Sequence, residues 1–239
     1  MSRARLALGL GAAVAIVAVA LLGLAYFYYM NFSPDRSRFP IRGIDVSQHQ
    51  GAIDWERVAA DDVQFAVIKA TEGGDHVDKA FAVNFAAARQ AGLAVGAYHF
   101  FTFCRPGAEQ AANFLATVPR DQPVLPPVVD IEYGGNCATR PTVDEMNKQL
   151  VAFLVPVEAA FGRQAVLYLS GGAENDYGPQ LPKRALWVRQ LAWYPGDDQW
   201  IYWQYHDRGR VAGIEGDVDL NVLKGGHGVL DTLSPPAAR

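Results

Sequence analysis

Eight short runs rich in β-branched and aromatic residues punctuate the chain after residue 41: RGIDVS (42–47), FAVIKA (65–70), AVGAYHFF (94–101), PVVDIE (127–132), AVLYLS (165–170), ALWVRQL (185–191), QWIYWQY (199–205) and VAGIEGDVDLN (211–221). Each has the length and residue preference of a strand. Between the first five lie helical patterns at 54–60, 79–91, 106–118 and 142–161. Thr142 with Glu145 three residues on has capping-box spacing, which starts the last helix at that point, and Pro156 is expected to kink it. Strands alternating with helices pair in parallel through right-handed crossovers. The later runs lie too close together for full helices between them. The expected α/β architecture is a barrel of about five β/α units and three further strands. An open doubly wound sheet is the runner-up, but no glycine-rich phosphate loop follows any run, so its usual nucleotide ligand lacks support.

The chain before residue 41 is a different material. Residues 6–30, LALGLGAAVAIVAVALLGLAYFYYM, carry no charge and exceed the roughly 20 apolar residues that cross a bilayer. Tyr26, Phe27, Tyr28 and Tyr29 fall where an interfacial aromatic belt would sit. A cleaved secretory signal competes with this reading, since Ala18, Val19 and Ala20 offer small residues for a peptidase; a cut there leaves an apolar LLGLAYFYYM terminus, which favours an uncleaved anchor. Arginines on both sides of the span (Arg3 and Arg5 before; Arg36, Arg38 and Arg42 after) leave orientation open. The expected organisation is a basic N-terminus (1–5), a transmembrane anchor (6–30), a polar linker (31–40), a barrel domain (41–225) and a loosely ordered tail (226–239). The 239 residues carry a net charge of −4, which gives no support to a nucleic-acid partner held through phosphates. Cys104 and Cys137 are the only cysteines, a pair compatible with one disulfide in an oxidising compartment or with two unrelated buried thiols. The first alternative implies an exported domain, periplasmic or extracellular.

In a β/α barrel the working groups project from the C-terminal ends of the strands. Asp45 sits late in the first run, Asp130 and Glu132 finish the fourth, and Asp219 falls in the eighth, which neighbours the first once a barrel closes. Asp130 and Glu132 are two apart, so they share a face with backbone origins roughly 6.5 to 7 Å apart. Two partly desolvated carboxylates at that spacing do not both ionise cheaply, so one holds a proton near neutral pH. A proton donor beside a carboxylate is what glycosidic cleavage requires. Glu132, longer and nearer the mouth, is the candidate acid; Asp130 is expected to stay charged and stabilise positive character on the sugar. Acids that merely cap loops, or a hard-cation site of four carboxylates, are the competing readings, and loss of activity with a chelator would support the latter. Tyr98, Tyr168, Trp187, Trp203 and Tyr205 lie in proposed strands, where they either stack on sugar faces or pack the core. His99 is expected to be structural.

The series GIDVSQHQGAIDW, FAVIKATEG, GAYHFF, PPVVDIE, AVLYLS, LWVRQ, IYWQY and GDVDLN resembles, in order and spacing, the lysozymes of glycoside hydrolase family 25 over about residues 42–224. The resemblance implies a flattened TIM-like barrel and hydrolysis of the β-1,4 bond between N-acetylmuramic acid and N-acetylglucosamine, with peptidoglycan strands as partner and neither cofactor nor metal. It places the acid on Glu132 and its partner on Asp130, gives Asp45 and Asp219 substrate-positioning roles, and assigns Tyr98 and Trp187 to the cleft. With that substrate, a substrate-assisted route is expected in which the 2-acetamido oxygen attacks the anomeric carbon, Asp130 orients the acetamido group and net retention follows, although the acid spacing sits near the separations linked to inversion. Arg189 stands where many family members carry a small residue, so a different cleft polarity or a different substrate preference is expected. A Cys104–Cys137 bridge would tie the loops after the third and fourth strands. A non-catalytic wall-glycan scaffold and a hydrolase of another N-acetylated polysaccharide such as chitin are the alternatives.

Overall fold

The computed structural model describes residues 3–122, 124–196, 199–226 and 228–233. The chain forms two compact units, residues 1–33 and 34–239. The first contains one helix, α1 (Arg3–Asn31), whose residues 9–30 are apolar on every face. A helix without a polar side has no orientation that suits a protein surface in water. Its segment Gly9–Asn31 is long and apolar enough to cross a membrane.

The second unit is an eight-stranded closed barrel with helices outside it. In chain order it runs β1 (Arg42–Val46), α2 (Trp55–Ala60), β2 (Phe65–Glu72), a short β3 (His76–Val77), α3 (Phe81–Gln90), β4 (Ala94–Phe100), α4 (Gly107–Thr117), β5 (Val128–Glu132), α5 (Val143–Phe161), β6 (Val166–Ser170), α6 (Ala173–Asp176), β7 (Ala185–Arg189), β8 (Trp200–Gly209), β9 (Val218–Leu223) and α7 (Val229–Leu233). The sheet order is β1-β9-β8-β7-β6-β5-β4-β2, closed by the β1–β2 pairing, while β3 folds back on β2. The barrel strands β1, β2 and β4 to β8 pair in parallel, β9 is antiparallel to both neighbours, and β3 is antiparallel to β2. Five β/α units and three closely joined strands result, as the spacing of the runs predicts.

Local chemistry explains the helix boundaries. The Asp54 side chain caps α2 by accepting the Arg57 N–H, and Thr142 and Glu145 form the expected reciprocal capping box of α5. Gly162, left-handed at φ 64°, closes α5, and the helix runs through Pro156 without a break. Gly107 is required by a close approach: a Cβ there would collide with the Gln149 carbonyl of α5. Side-chain alternation then sorts each strand into two cores. Phe65, Val128, Val166, Tyr202 and Leu223 fill the barrel's interior floor, whereas Ile68, Val129, Ile131 and Leu167 face the helices.

Two boundaries differ from expectation. Residues 34–40, expected as part of a polar tether, are docked on the barrel unit: Phe39 is buried against Trp200 and Trp203 at ring-centroid distances of 5.9 and 5.6 Å, and Arg42 Nη2 donates to the Pro34 carbonyl at 2.6 Å. Among the described residues it is this polar-looking segment, not a helix, that packs an aromatic on Trp200 and Trp203 of β8. Within the expected loose tail, residues 229–233 form α7, whose Val229, Leu230 and Leu233 pack on the interior-floor cluster. Residues 234–239 lie outside the described residues.

Candidate active site

A cavity of about 260 Å³ opens at the end of the barrel where the parallel strands finish. The interior-facing positions above the apolar floor line it: Asp45 of β1, Tyr98 of β4, Asp130 and Glu132 of β5, Tyr168 of β6 and Trp187 of β7. Asp219 reaches the same mouth for a different reason. It lies near the start of β9, and because that strand is reversed its beginning is level with the ends of its neighbours; the register sets Asp219 directly opposite Asp45.

The four acids form two pairs with different surroundings. Asp45 Oδ2 accepts from Asn221 Nδ2 at 2.7 Å, and Asn221 Oδ1 in turn accepts the Trp187 indole N–H at 2.8 Å. Asp219 faces Asp45 across the β1–β9 pairing. Burial, and then the Asp219 charge, push the Asp45 carboxyl well above the ordinary carboxylate range. Burial raises Asp219 to about 6, with Asp207 adding to the rise and Gln204 and Arg189 opposing it.

In the second pair, Glu132 Oε2 accepts the Ser170 hydroxyl at 2.6 Å, whereas Asp130 Oδ1 is buried without a hydrogen-bond partner. Burial and the neighbouring Glu132 charge push Asp130 well up, against a pull from Lys69. Asp130, the carboxyl deeper in the barrel, is thus pushed towards its protonated form, where the sequence reading expects a charged group. The expectation rested on side-chain length, which places Glu132 nearer water but does not reveal how completely β5 buries Asp130.

The aromatic residues divide by strand face. Tyr98, Tyr168 and Trp187 border the cavity, and the Tyr168 hydroxyl donates to Gln204 Oε1 at 2.9 Å. Burial and the surrounding carboxylates raise both tyrosines further, so both stay neutral. Trp203 and Tyr205 are not in the cavity. They lie on the opposite face of β8 from Tyr202 and Gln204, where the Trp203 indole donates to the Gln190 carbonyl at 2.7 Å and Arg42 Nη1 donates to the Tyr205 hydroxyl at 3.3 Å. His99 is structural: Nε2 meets Gln110 Oε1 at 3.0 Å, Nδ1 meets Thr71 Oγ1 at 2.7 Å, and its ring stacks on Phe153. Since Gln110 Oε1 only accepts, the imidazole proton is assigned to Nε2.

Cys104 and Cys137 are bonded, joining the loops that follow β4 and β5. Beside the bridge, Asn136 Nδ2 donates to the Glu132 carbonyl at 3.0 Å and to the Phe101 carbonyl at 2.9 Å, and its Oδ1 accepts the Phe103 N–H at 3.0 Å. Asn136, Ser170, Gln204 and Asp207 escape motif reading. Alternation from Tyr168 and Tyr202 points to Ser170 and Gln204; no local signal marks the other two. Among the described residues no group of three or more His, Cys, Asp and Glu is disposed to hold a metal ion.

With this geometry in place, the relatives are informative. The family model described as Glycosyl hydrolases family 25 matches residues 44–214. Lysozyme M1 of Streptomyces globisporus is 34% identical over 77% of this chain and 68% of its own. The uncharacterized protein YegX of Escherichia coli K12 is 36% identical over 84% of this chain and 78% of its own. A solved family 25 glycosyl hydrolase from Bacillus anthracis, 34% identical, superposes with a TM-score of 0.78 over 85% of this chain and 96% of its own.

Proposed function

The chain belongs to family 25 of the glycosyl hydrolases and is a glycoside hydrolase of the lysozyme type, and from that premise we propose that its barrel mouth cleaves the β-1,4 bond between N-acetylmuramic acid and N-acetylglucosamine in peptidoglycan. The observation that carries the residue assignment is the asymmetry of the β5 pair: one carboxylate held at the mouth by Ser170, the other buried with an orphaned oxygen. A buried acceptor without a partner is costly, and a 2-acetamido N–H from the sugar satisfies it. Hydrogen bonding to the charged form lowers a carboxyl's pKa, so the arriving glycan favours ionised Asp130 and leaves the shared proton to Glu132.

Glu132 then protonates the glycosidic oxygen as its bond to the anomeric carbon breaks. The acetamido oxygen of the same sugar attacks that carbon, with Asp130 taking the N–H and balancing the positive charge. Water, deprotonated by Glu132, opens the cyclic intermediate and returns the acid for the next cycle, with net retention. Asp45 and Asp219 hold hydroxyls of the bound glycan, and Tyr98, Tyr168 and Trp187 provide its apolar and stacking contacts. In this reading α1 remains uncleaved and anchors the protein at the membrane, supported by the wholly apolar terminus that a cut after Ala20 would leave; intact mass of the protein from membranes tests this.

Mass spectrometry of products from purified peptidoglycan tests the assignment. The expected result is new N-acetylmuramic acid reducing ends from the wild type and none above background from Glu132→Gln. N-acetylglucosamine reducing ends, or equal release by both proteins, would overturn it, and release from chitin oligomers at an equal rate would remove the muramic specificity.

A further inference from the structure

A second cavity, of about 550 Å³, lies against the outer face of β6 and β7, where the β6–β7 connection contains only the single-turn α6 and a 3-10 turn. Its wall is the outward-facing row Leu167, Leu169, Leu186 and Val188, and Lys183 stands at its rim. Trp187 and Arg189, the last residue of β7, border this cavity and the acid-lined one alike, and Arg189 is the charged one of the two. Its Nη2 is held by Asp207 Oδ2 at 2.6 Å. The other charges on the wall are engaged elsewhere: Arg184 pairs with Glu158 at 2.6 Å, and Glu174 accepts the Gly172 N–H at 2.9 Å.

An apolar trough with cations at its edge, joined to a glycan site by a tryptophan and an arginine, suits an acyl-peptide branch: small apolar side chains along its length and carboxylates on it. We propose that this second cavity binds the peptide arm carried through a lactyl group at the 3-oxygen of N-acetylmuramic acid, with Arg189 holding one of the arm's carboxylates, which makes Arg189 a specificity-determining residue. The inference rests on the peptidoglycan reading above. A guanidinium matches a carboxylate in two parallel bonds, and Asp207 fixes its orientation before the ligand arrives. The lactyl group of a stripped muramic acid offers a carboxylate of the same chemistry, but it is too short to use the apolar trough.

The test is titration calorimetry on the full-length Glu132→Gln protein in detergent, which binds without turning substrate over. The probes are solubilised glycan strands bearing their peptides and the same strands stripped by an amidase. The quantity read is the ratio of the two affinities, which cancels any effect of Arg189 on the shared glycan contacts or on Asp219. Arg189→Gln is expected to lower the preference for peptide-bearing strands about tenfold or more, the loss of a charge-assisted bond, and Arg189→Lys to lower it less. An unmoved ratio with both strands still bound overturns this inference alone, whether affinity is unchanged or falls equally for both. A preference for stripped strands would assign the arginine to the lactyl carboxylate and equally overturn it. Binding of neither strand, with no hydrolysis by the wild type, would overturn the peptidoglycan reading beneath it.

Discussion

Replacing Asp219 by Asn should stabilise the barrel, and by an amount that depends on pH in a defined way. Asp219 is held at about 6 against an ordinary 3.8, mainly by burial. A carboxyl whose folded pKa is raised favours the fold fully below its unfolded pKa, and that contribution disappears as pH rises through the folded value. The shift of roughly two units, at 1.36 kcal/mol each, means that the wild type loses about 3 kcal/mol from this group between about pH 4 and pH 7. Asn does not titrate, so the stability gap between variant and wild type should widen by about that much over the same interval. Any pH-independent change in packing adds a constant, which does not affect the slope, and relief of the Asp219 charge on Asp45 acts in the same direction. Urea unfolding of the full-length protein in detergent at about pH 4, 5, 6, 7 and 8, followed by near-ultraviolet circular dichroism, reads the gap directly; in a thermal scan it is worth ~6–12 °C. A gap that stays constant with pH, or narrows as pH rises, would refute the claim that the site's acids are desolvated at the fold's expense.

Other outcomes follow from the same physics. His99, lowered by burial to about 4 from 6.5, favours the fold above its unfolded pKa, so about 3 kcal/mol is lost as pH falls from ~6.5 to ~4; a His99→Gln protein compared with the wild type by urea unfolding should lack this component. Reducing Cys104–Cys137, which closes a 33-residue separation, should cost about 4 kcal/mol by the loop-entropy relation, read as a shift in urea midpoint with and without reductant. Phe39→Ala should destabilise the barrel unit by about 3–5 kcal/mol, because Phe39 is buried against Trp200 and Trp203; a change below ~1 kcal/mol would show that residues 34–40 are a tether after all.

The barrel was readable because strand length, helix caps and spacing are local properties. Thr142 with Glu145 and the DIE ending of β5 carry their meaning in a few residues, and together they fix five β/α units and the mouth at which the acids meet. What escaped depends on contacts distant in sequence. Trp203 and Tyr205 look like cleft aromatics, but β8 slips by one residue against β7 between Leu186 and Trp187, and the parity that results turns Tyr202 and Gln204 inward. Phe39 sits in a polar segment and gives no periodic signal, yet it is buried against Trp200 and Trp203 of β8. The burial of Asp130 is hidden for a related reason: side-chain length is local, whereas desolvation is set by the surrounding strands. Asn136 joins the exits of β4 and β5 through backbone carbonyls, which no side-chain pattern announces.

The central claim is that Glu132 hands a proton to the departing sugar while Asp130 serves the acetamido group. The most direct measurement is kcat for Glu132→Gln and Asp130→Asn on two N-acetylated glycosides, one with a sugar leaving group and one with a dinitrophenolate that departs unaided. The account predicts that Glu132→Gln loses at least about a hundredfold on the first and far less on formation of the intermediate from the second, while Asp130→Asn suffers on both. Equal impairment of Glu132→Gln on the two substrates would contradict it.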